Sequence, residues 1–229
     1  GTGAGQRLLG LFTMDHMSYD LDRDAAQEPS LAEMTGKAID VLRNNPKGFF
    51  LMVEGGRIDH ALHSTNAARA LQDTVAFDDA VKVAIDRLQA HDPGLKNTLI
   101  VVTADHDHTL VLNGYAKRTG ATTAANPGVL GLLKNFVTGA NGTDSGGNTF
   151  SIIGFGNGEN RPATRTALTD AQVGGRDYHQ EAVIPMAAGS ETHGGTDVFM
   201  AAIGRGAGNF TGIVENSELF GLIRKAVGL

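Results

Sequence analysis

Residues 54–63 read EGGRIDHALH, so Glu54, Asp59, His60 and His63 follow directly on the apolar run 49–53. Side chains four residues apart share one face of a helix and can converge on a point beyond it. Asp59 and His63 have that spacing. A carboxylate and an imidazole so placed suit a divalent ion such as Zn²⁺, which takes oxygen and nitrogen donors alike. Two further stretches are similarly rich. TADHDH sets Asp105 and His106, with His108 close by, immediately after the apolar run 99–103. ETHGGTDV sets His193 just ahead of another apolar run, beside glycines that allow close backbone approach.

A single His or Asp at a strand end is ordinarily a cap or a hydrogen-bonded core residue. Three such clusters in one chain ask for more. Each unpaired titratable group near a core costs on the order of a few kcal/mol, and a pair of divalent ions would offset that cost. Other charged or nucleophilic residues take plainer readings. Asp78 and Asp79 are expected on a solvated helix face, and Asp20, Asp22, Arg23 and Asp24 as loop charges. Ser145 lies in GTDSGGN, which resembles a nucleophile turn but has no strand before it and no helix after it. It is expected as plain loop. No G-x-S-x-G, phosphate-binding loop or H-E-x-x-H occurs.

The elements that must position these residues read as strands alternating with helices. Leu8–Phe12, Phe49–Val53, Leu99–Thr103 and Val198–Ile203 are apolar runs of strand length. The run 99–103 is continuous and rich in β-branched residues, as a parallel strand covered on both faces should be. Ser30 is a predicted N-cap, with Leu31, Met34, Ala38 and Val41 recurring at helical spacing behind it. The longest helical pattern carries Leu71, Val75, Val81, Ile85 and Leu88 on one face, and SELFGLIRKAVGL closes the chain as another helix. Alternation of this kind predicts an α/β fold with helices on both faces of the sheet. In parallel α/β sheets, sites lie beyond the carboxyl ends of strands, which is where Asp105 and His106 fall. Residues 112–180 break the pattern. They are rich in Gly, Asn, Thr and Ala, with TFSIIGF as the one strand candidate, and are expected as a surface insertion whose loops cover part of the core.

The composition excludes several functions. The chain has 229 residues, 41% of them hydrophobic, enough for one large domain or a core with a sizeable insertion. A net charge of −6 without a basic block argues against nucleic-acid binding. The apolar runs are too short to span a membrane. With no cysteine there are no disulfides, zinc–thiolate sites or cysteine nucleophiles. The first residues, GTGAGQRLLG, show neither an initiator Met nor a leader, which reads as a processed product or a fragment.

FFLMVEGGRIDHALH, VVTADHDH and ETHGGTDVFMAAIGRG, in that order, resemble the metal-binding segments of alkaline phosphatases. The flanking stretches LLGLF, EPSLAEMTGKAIDVL and AFDDAVKVAID fit the same family. The resemblance implies a mostly parallel central sheet flanked by helices, with residues 1–111 and 181–229 as the C-terminal part of the catalytic core. Residues 112–180 would then be an inserted, crown-like surface segment. It further implies hydrolysis of phosphate monoesters with two Zn²⁺ and one Mg²⁺. By motif, Asp59, His63 and His193 correspond to ligands of the first zinc, Asp105 and His106 to ligands of the second, and Glu54 to a magnesium ligand. His60 falls on the phosphate side or near the magnesium, and His108 is placed to orient the Asp59 carboxylate.

The implied reaction is in-line displacement by a serine, through a phosphoserine intermediate. The family's nucleophilic serine lies in an N-terminal turn with no match here, nor do a bridging aspartate, a hydroxyl ligand of magnesium or the phosphate-clamping arginine. The nucleophile is therefore expected outside this chain, in an N-terminal half of the same enzyme, and the isolated chain is expected to be inactive. A homodimer in the periplasm or secreted from the cell is the setting that the family implies. Two other readings stand beside this one: a catalytically silent metal-binding module, and a phosphodiesterase of the same superfamily.

Overall fold

The computed structural model describes residues 7–228; the start of the chain on which the reading as a processed product or fragment rests, residues 1–6, lies outside the described residues. The chain divides into two compact units. One takes in the chain up to Gly55, Val75–Asp107 and everything from Thr196 on; the other takes in Gly56–Thr74 and His108–Gly195.

In the first unit, helix α1 spans Leu31–Leu42. Ser30 caps it: its Oγ accepts the Glu33 N–H at 3.1 Å, and the Glu33 carboxylate accepts the Ser30 N–H at 2.8 Å. This reciprocal arrangement satisfies two donors that the helix start would otherwise leave open. The buried side of α1 is Thr35, Gly36 and Ile39, one position on from the predicted stripe. Helix α3, Ala67–His91, begins in the other unit and continues here from Val75. Within this unit Asp40 of α1 pairs with Arg87 of α3, and Arg43 lies 3.3 Å from His91. Asp78 and Asp79 are exposed, as expected. Strand β1, Leu99–Thr103, pairs with β5, Met200–Gly204. β5 ends at Gly204, where φ is +93° and any side chain would collide with the Thr98 carbonyl, so only glycine serves. Helix α5, Leu219–Val227, closes the unit.

Three expectations differ here. β1 and β5 run antiparallel, with Leu99 opposite Gly204 and Thr103 opposite Met200. A β-branched run signals a strand and its burial but not the direction of its neighbour. Residues 8–12 and 49–53 form no strand. Residues 8–12 are exposed throughout, and in 49–53 the exposed Phe50 and Met52 alternate with the less exposed Leu51 and Val53. A strand also needs a hydrogen-bonded neighbour, and none is present among the described residues. In place of the expected central, mostly parallel sheet, the described residues form two small sheets.

The second unit holds the other sheet, in the order β2 (Leu110–Leu112), β3 (Ile153–Gly158), β4 (Ala182–Pro185). β2 is antiparallel to β3, and β4 is parallel to it. The strand candidate TFSIIGF supplies the start of β3, and Ile152, Ile153 and Phe155 lie buried with Ala67, Ala68, Leu130 and Ala182 in one apolar cluster. Residues 112–180 thus supply most of this unit's core. Short bridges, among them Leu132 with Ser151 and Lys134 with Asn141, tie the loops together. Arg165 clamps them as well, donating to both Glu181 carboxylate oxygens at 2.9 and 2.5 Å and to Asp144. Ser145 sits in an exposed turn, where the Asp144 carboxylate accepts the N–H groups of Gly146 and Asn148. Among the described residues no helix is long and apolar enough to cross a membrane.

Candidate metal centre

Helix α2, Arg57–His63, carries the first pair of site residues. Ala61 is fully buried and Leu62 packs against the apolar cluster. That burial turns Asp59 and His63, which share another face, toward a common point. The turn to α3 fixes where the helix stops. Thr65, fully buried, takes a left-handed conformation at φ +50°, uncommon for a β-branched residue. Its carbonyl accepts the Gln180 N–H at 2.9 Å. Asn66 then caps α3 by accepting the Arg69 N–H at 3.0 Å.

The other two residues arrive from the sheet. His108 stands just before β2, and His193 on the chain that follows β4; the two form an antiparallel bridge. Asn157 of β3 holds the second segment by exchanging hydrogen bonds with Thr192, at 3.0 Å to its N–H and 2.8 Å to its hydroxyl. Asp59, His63, His108 and His193 thereby bring one potential donor atom each to within 4.8 Å of one another. Among the described residues this is the one group of three or more such side chains so gathered.

The geometry can accommodate a metal cation. His63 Nε2 lies 3.3 Å from Asp59 Oδ1, His193 Nε2 lies 3.4 Å from the same oxygen, and the two imidazole nitrogens are 3.2 Å apart. A proton can bridge one pair of these atoms; one cation between them satisfies all three. The three atoms form a nearly equilateral triangle whose centre is about 1.9 Å from each corner, close to the ~2.0–2.2 Å of zinc–nitrogen and zinc–oxygen bonds. The tautomer of His63 agrees. Its Nδ1 faces the main-chain carbonyl of Glu191, which can only accept, so the proton sits on Nδ1 and Nε2 turns a lone pair toward the triangle. Exposure rises across the group, from 4% for the His108 side chain through 27% and 35% for His63 and Asp59 to 48% for His193. One side is thus open, as a catalytic metal site requires.

His108 was expected to orient Asp59, and its Nε2 lies 3.0 Å from Asp59 Oδ1. His60 shares α2 but faces elsewhere, with its Nδ1 accepting from Arg57 at 2.9 Å. Glu54, Asp105 and His106 belong to the first unit. There Glu54 is exposed, the Asp105 side chain is 87% exposed, and His106 lies 3.5 Å from Asp105 and 3.1 Å from the Asp107 carbonyl. Glu191 is the residue that sequence reasoning passed over. It is fully buried behind His63 and His108 and accepts a hydrogen bond from the latter. Its signal was a glutamate two residues ahead of His193 in ETHGG.

A carboxylate and three imidazoles gathered in this way form a candidate metal-binding group in a protein of mixed helix and sheet. The chain belongs to the alkaline phosphatase family, a metal-dependent family of hydrolases whose model, described as "Alkaline phosphatase", matches residues 2–229. It is 38% identical over 224 residues to a membrane-bound alkaline phosphatase of Bombyx mori, covering 96% of this chain and 37% of that protein. It is 36% identical over 213 residues to the human tissue-nonspecific alkaline phosphatase, covering 92% of this chain and 37% of that one. A crystal structure of a cold-active alkaline phosphatase from the psychrophile Shewanella sp. matches 48% of this chain and 26% of that chain, at 34% identity and a TM-score of 0.41. The chain spans little more than a third of the length of the curated relatives it matches.

Proposed function

We propose that this chain is the C-terminal, ligand-bearing portion of an alkaline phosphatase that hydrolyses phosphate monoesters through a phosphoserine intermediate. The attacking serine would come from an N-terminal half of the same enzyme. The observation that carries the reading is the triangle of Asp59, His63 and His193, with sides of 3.2–3.4 Å and one open side. In this reading Asp59, His63 and His193 hold one Zn²⁺, Asp105 and His106 contribute to a second, and Glu54 gives a hard oxygen donor to Mg²⁺. The bound ions supply Lewis-acid stabilisation of charge on the attacking and leaving oxygens.

The chain's own residues do the positioning. Asp59 supplies negative charge from the first turn of α2, and the Glu191 carbonyl keeps the His63 proton away from the site. Arg57 donates to Nδ1 of His60, and in this reading His60 stands on the phosphate side or near the magnesium. The half-exposed His193 borders the opening through which an ester would enter. Residues 112–180 form the crown-like segment in this reading, inserted into a core made of 1–111 and 181–229. A homodimer in the periplasm or outside the cell completes the proposal.

The test is hydrolysis of p-nitrophenyl phosphate at alkaline pH, with and without EDTA, by the chain alone and by the chain mixed with the N-terminal half of an alkaline phosphatase. The expected result is an inactive isolated chain and an active, EDTA-sensitive mixture that leaves bis-p-nitrophenyl phosphate almost untouched. Activity of the chain alone would overturn the missing nucleophile. An inactive mixture that still binds zinc would make the chain a silent metal-binding module, and turnover of the diester would make it a phosphodiesterase.

A further inference from the structure

Glu191 is the most deeply buried acid of the second unit, with its side chain fully shielded from solvent. A carboxylate in that position must be fully hydrogen-bonded to persist. One oxygen accepts the Thr109 N–H at 2.7 Å and the Thr109 hydroxyl at 2.5 Å; the other accepts from His108 Nδ1 at 2.6 Å. The main chain of the same residue grips His63 twice. Its N–H donates to the His63 carbonyl at 3.1 Å, and its carbonyl accepts from His63 Nδ1. One residue therefore touches two arms of the metal centre without reaching the centre itself.

The two grips have one consequence. With Nδ1 of each ring tied to Glu191, Nε2 of each points the other way, and both reach Asp59 Oδ1, at 3.0 Å from His108 and 3.3 Å from His63. That oxygen is the shared corner of the donor triangle. Asp59 is 35% exposed and sits on a helix of seven residues, and of the three imidazoles around its Oδ1 the nearest is His108. His108, only 4% exposed, is a strut wedged between two carboxylates, donating from Nδ1 to Glu191 and from Nε2 to Asp59.

We infer that Glu191 is a positioning residue of the metal centre, acting through its carboxylate on His108 and through His108 on Asp59. The inference rests on the reading of Asp59, His63 and His193 as metal ligands. Hydrogen-bond partners one layer behind a ligand change metal affinity by ~10–100-fold when removed.

The decisive variant is Glu191→Gln, which keeps the shape. The Thr109 N–H can only donate, so the amide oxygen stays with Thr109 and the NH₂ group turns to His108. The ring then loses its charged acceptor, and Nδ1 faces a donor to which it can no longer give a proton. Zn²⁺ affinity of the full chain is measured by competition with a chromophoric chelator, for wild type, Glu191→Gln, His108→Ala and the double variant. Proton NMR of the metal-free chain adds a readout that does not depend on metal, because the Nδ1 proton of a ring buried against a carboxylate is slow to exchange and resolved downfield.

Glu191→Gln is expected to weaken zinc binding ~10-fold or more, to abolish that resonance, and to cause no further loss in the His108→Ala background. Thr109→Val is the control. It removes one bond to the same carboxylate and leaves His108 tied, so it lowers the melting temperature of the metal-free chain while zinc affinity stays within about threefold. Zinc binding within twofold of wild type in Glu191→Gln, or an equal loss with and without His108, would overturn the inference. Should the glutamine variant not fold, Glu191→Asp withdraws the acceptor by one methylene and carries the same expectations. A wild-type chain that binds no zinc yet keeps the downfield proton would overturn the metal reading and leave the Glu191–His108 bond standing.

Discussion

Asp59→Asn removes one negative charge from the shared corner of the donor triangle and changes almost nothing else in shape. The amide oxygen can still face His63 and His193. What is lost is the attraction between a carboxylate and a doubly charged ion about 2 Å away. Even at the dielectric constant of bulk water that attraction amounts to about 4 kcal/mol. The Asp59 side chain is two-thirds shielded, so the local dielectric is lower and the figure is a floor. A loss of about 4 kcal/mol corresponds to an affinity reduced on the order of 10³-fold. The assay is equilibrium competition against a chromophoric chelator at low ionic strength, with circular dichroism to confirm that the metal-free variant keeps its helix content. The same variant should lose most of the rise in melting temperature that saturating Zn²⁺ gives the wild type, because that rise follows from the ratio of free metal to Kd. A weakening of less than tenfold would refute the reasoning, since it would place the ion away from Asp59 Oδ1.

Three further outcomes follow from the packing. Phe155→Ala, which empties a buried position on β3 opposite Leu110 of β2, should cost about 3–5 kcal/mol in urea unfolding. Ser30→Ala removes the hydroxyl that accepts the Glu33 N–H and leaves the bond from the main-chain N–H of residue 30 to the Glu33 carboxylate; it should cost about 1 kcal/mol, with zinc affinity unchanged because it lies in the other unit. Burial pushes the Tyr178 hydroxyl up to about 12. The folded chain therefore holds that proton above the ~10 of an unfolded tyrosine, and the stability it contributes is present in full below about pH 10 and lost as pH rises through about 12. Urea midpoints followed across that interval should fall in the wild type and flatten in Tyr178→Phe; an equal fall in both would place the pH dependence elsewhere.

The metal centre was legible where its logic is local. Asp59 and His63 are four apart on a helix, and helical spacing alone brings their donor atoms to 3.3 Å. His193 was marked by its neighbouring glycines and Ser30 by its place before a helical stripe. Glu191 was not legible in the same way. Its role depends on Thr109 and His108, more than 80 residues away in sequence, and nothing in the residues around it says where its carboxylate goes. Strand pairing failed for a similar reason. The run 99–103 announces a strand, but the direction of β5 beside it is decided by the path of the intervening chain. Phe49–Val53 has the alternation of a strand and no neighbour among the described residues. Residues 112–180 read as loops because Gly, Asn and Thr dominate their composition, yet Leu130, Ile152, Ile153 and Phe155 within them are buried. A few well-spaced apolar residues among turns are enough to build a core when bridges and an Arg165 clamp hold the turns in place.

Where a zinc ion binds is the most direct test of the metal centre. Anomalous diffraction at the zinc absorption edge, from crystals of the chain grown with Zn²⁺, locates it without reference to activity. The expected result is a peak bounded by Asp59 Oδ1, His63 Nε2 and His193 Nε2, at ~2.0–2.2 Å from each, that disappears in His63→Ala. A zinc-saturated crystal with no peak between those three atoms would contradict it.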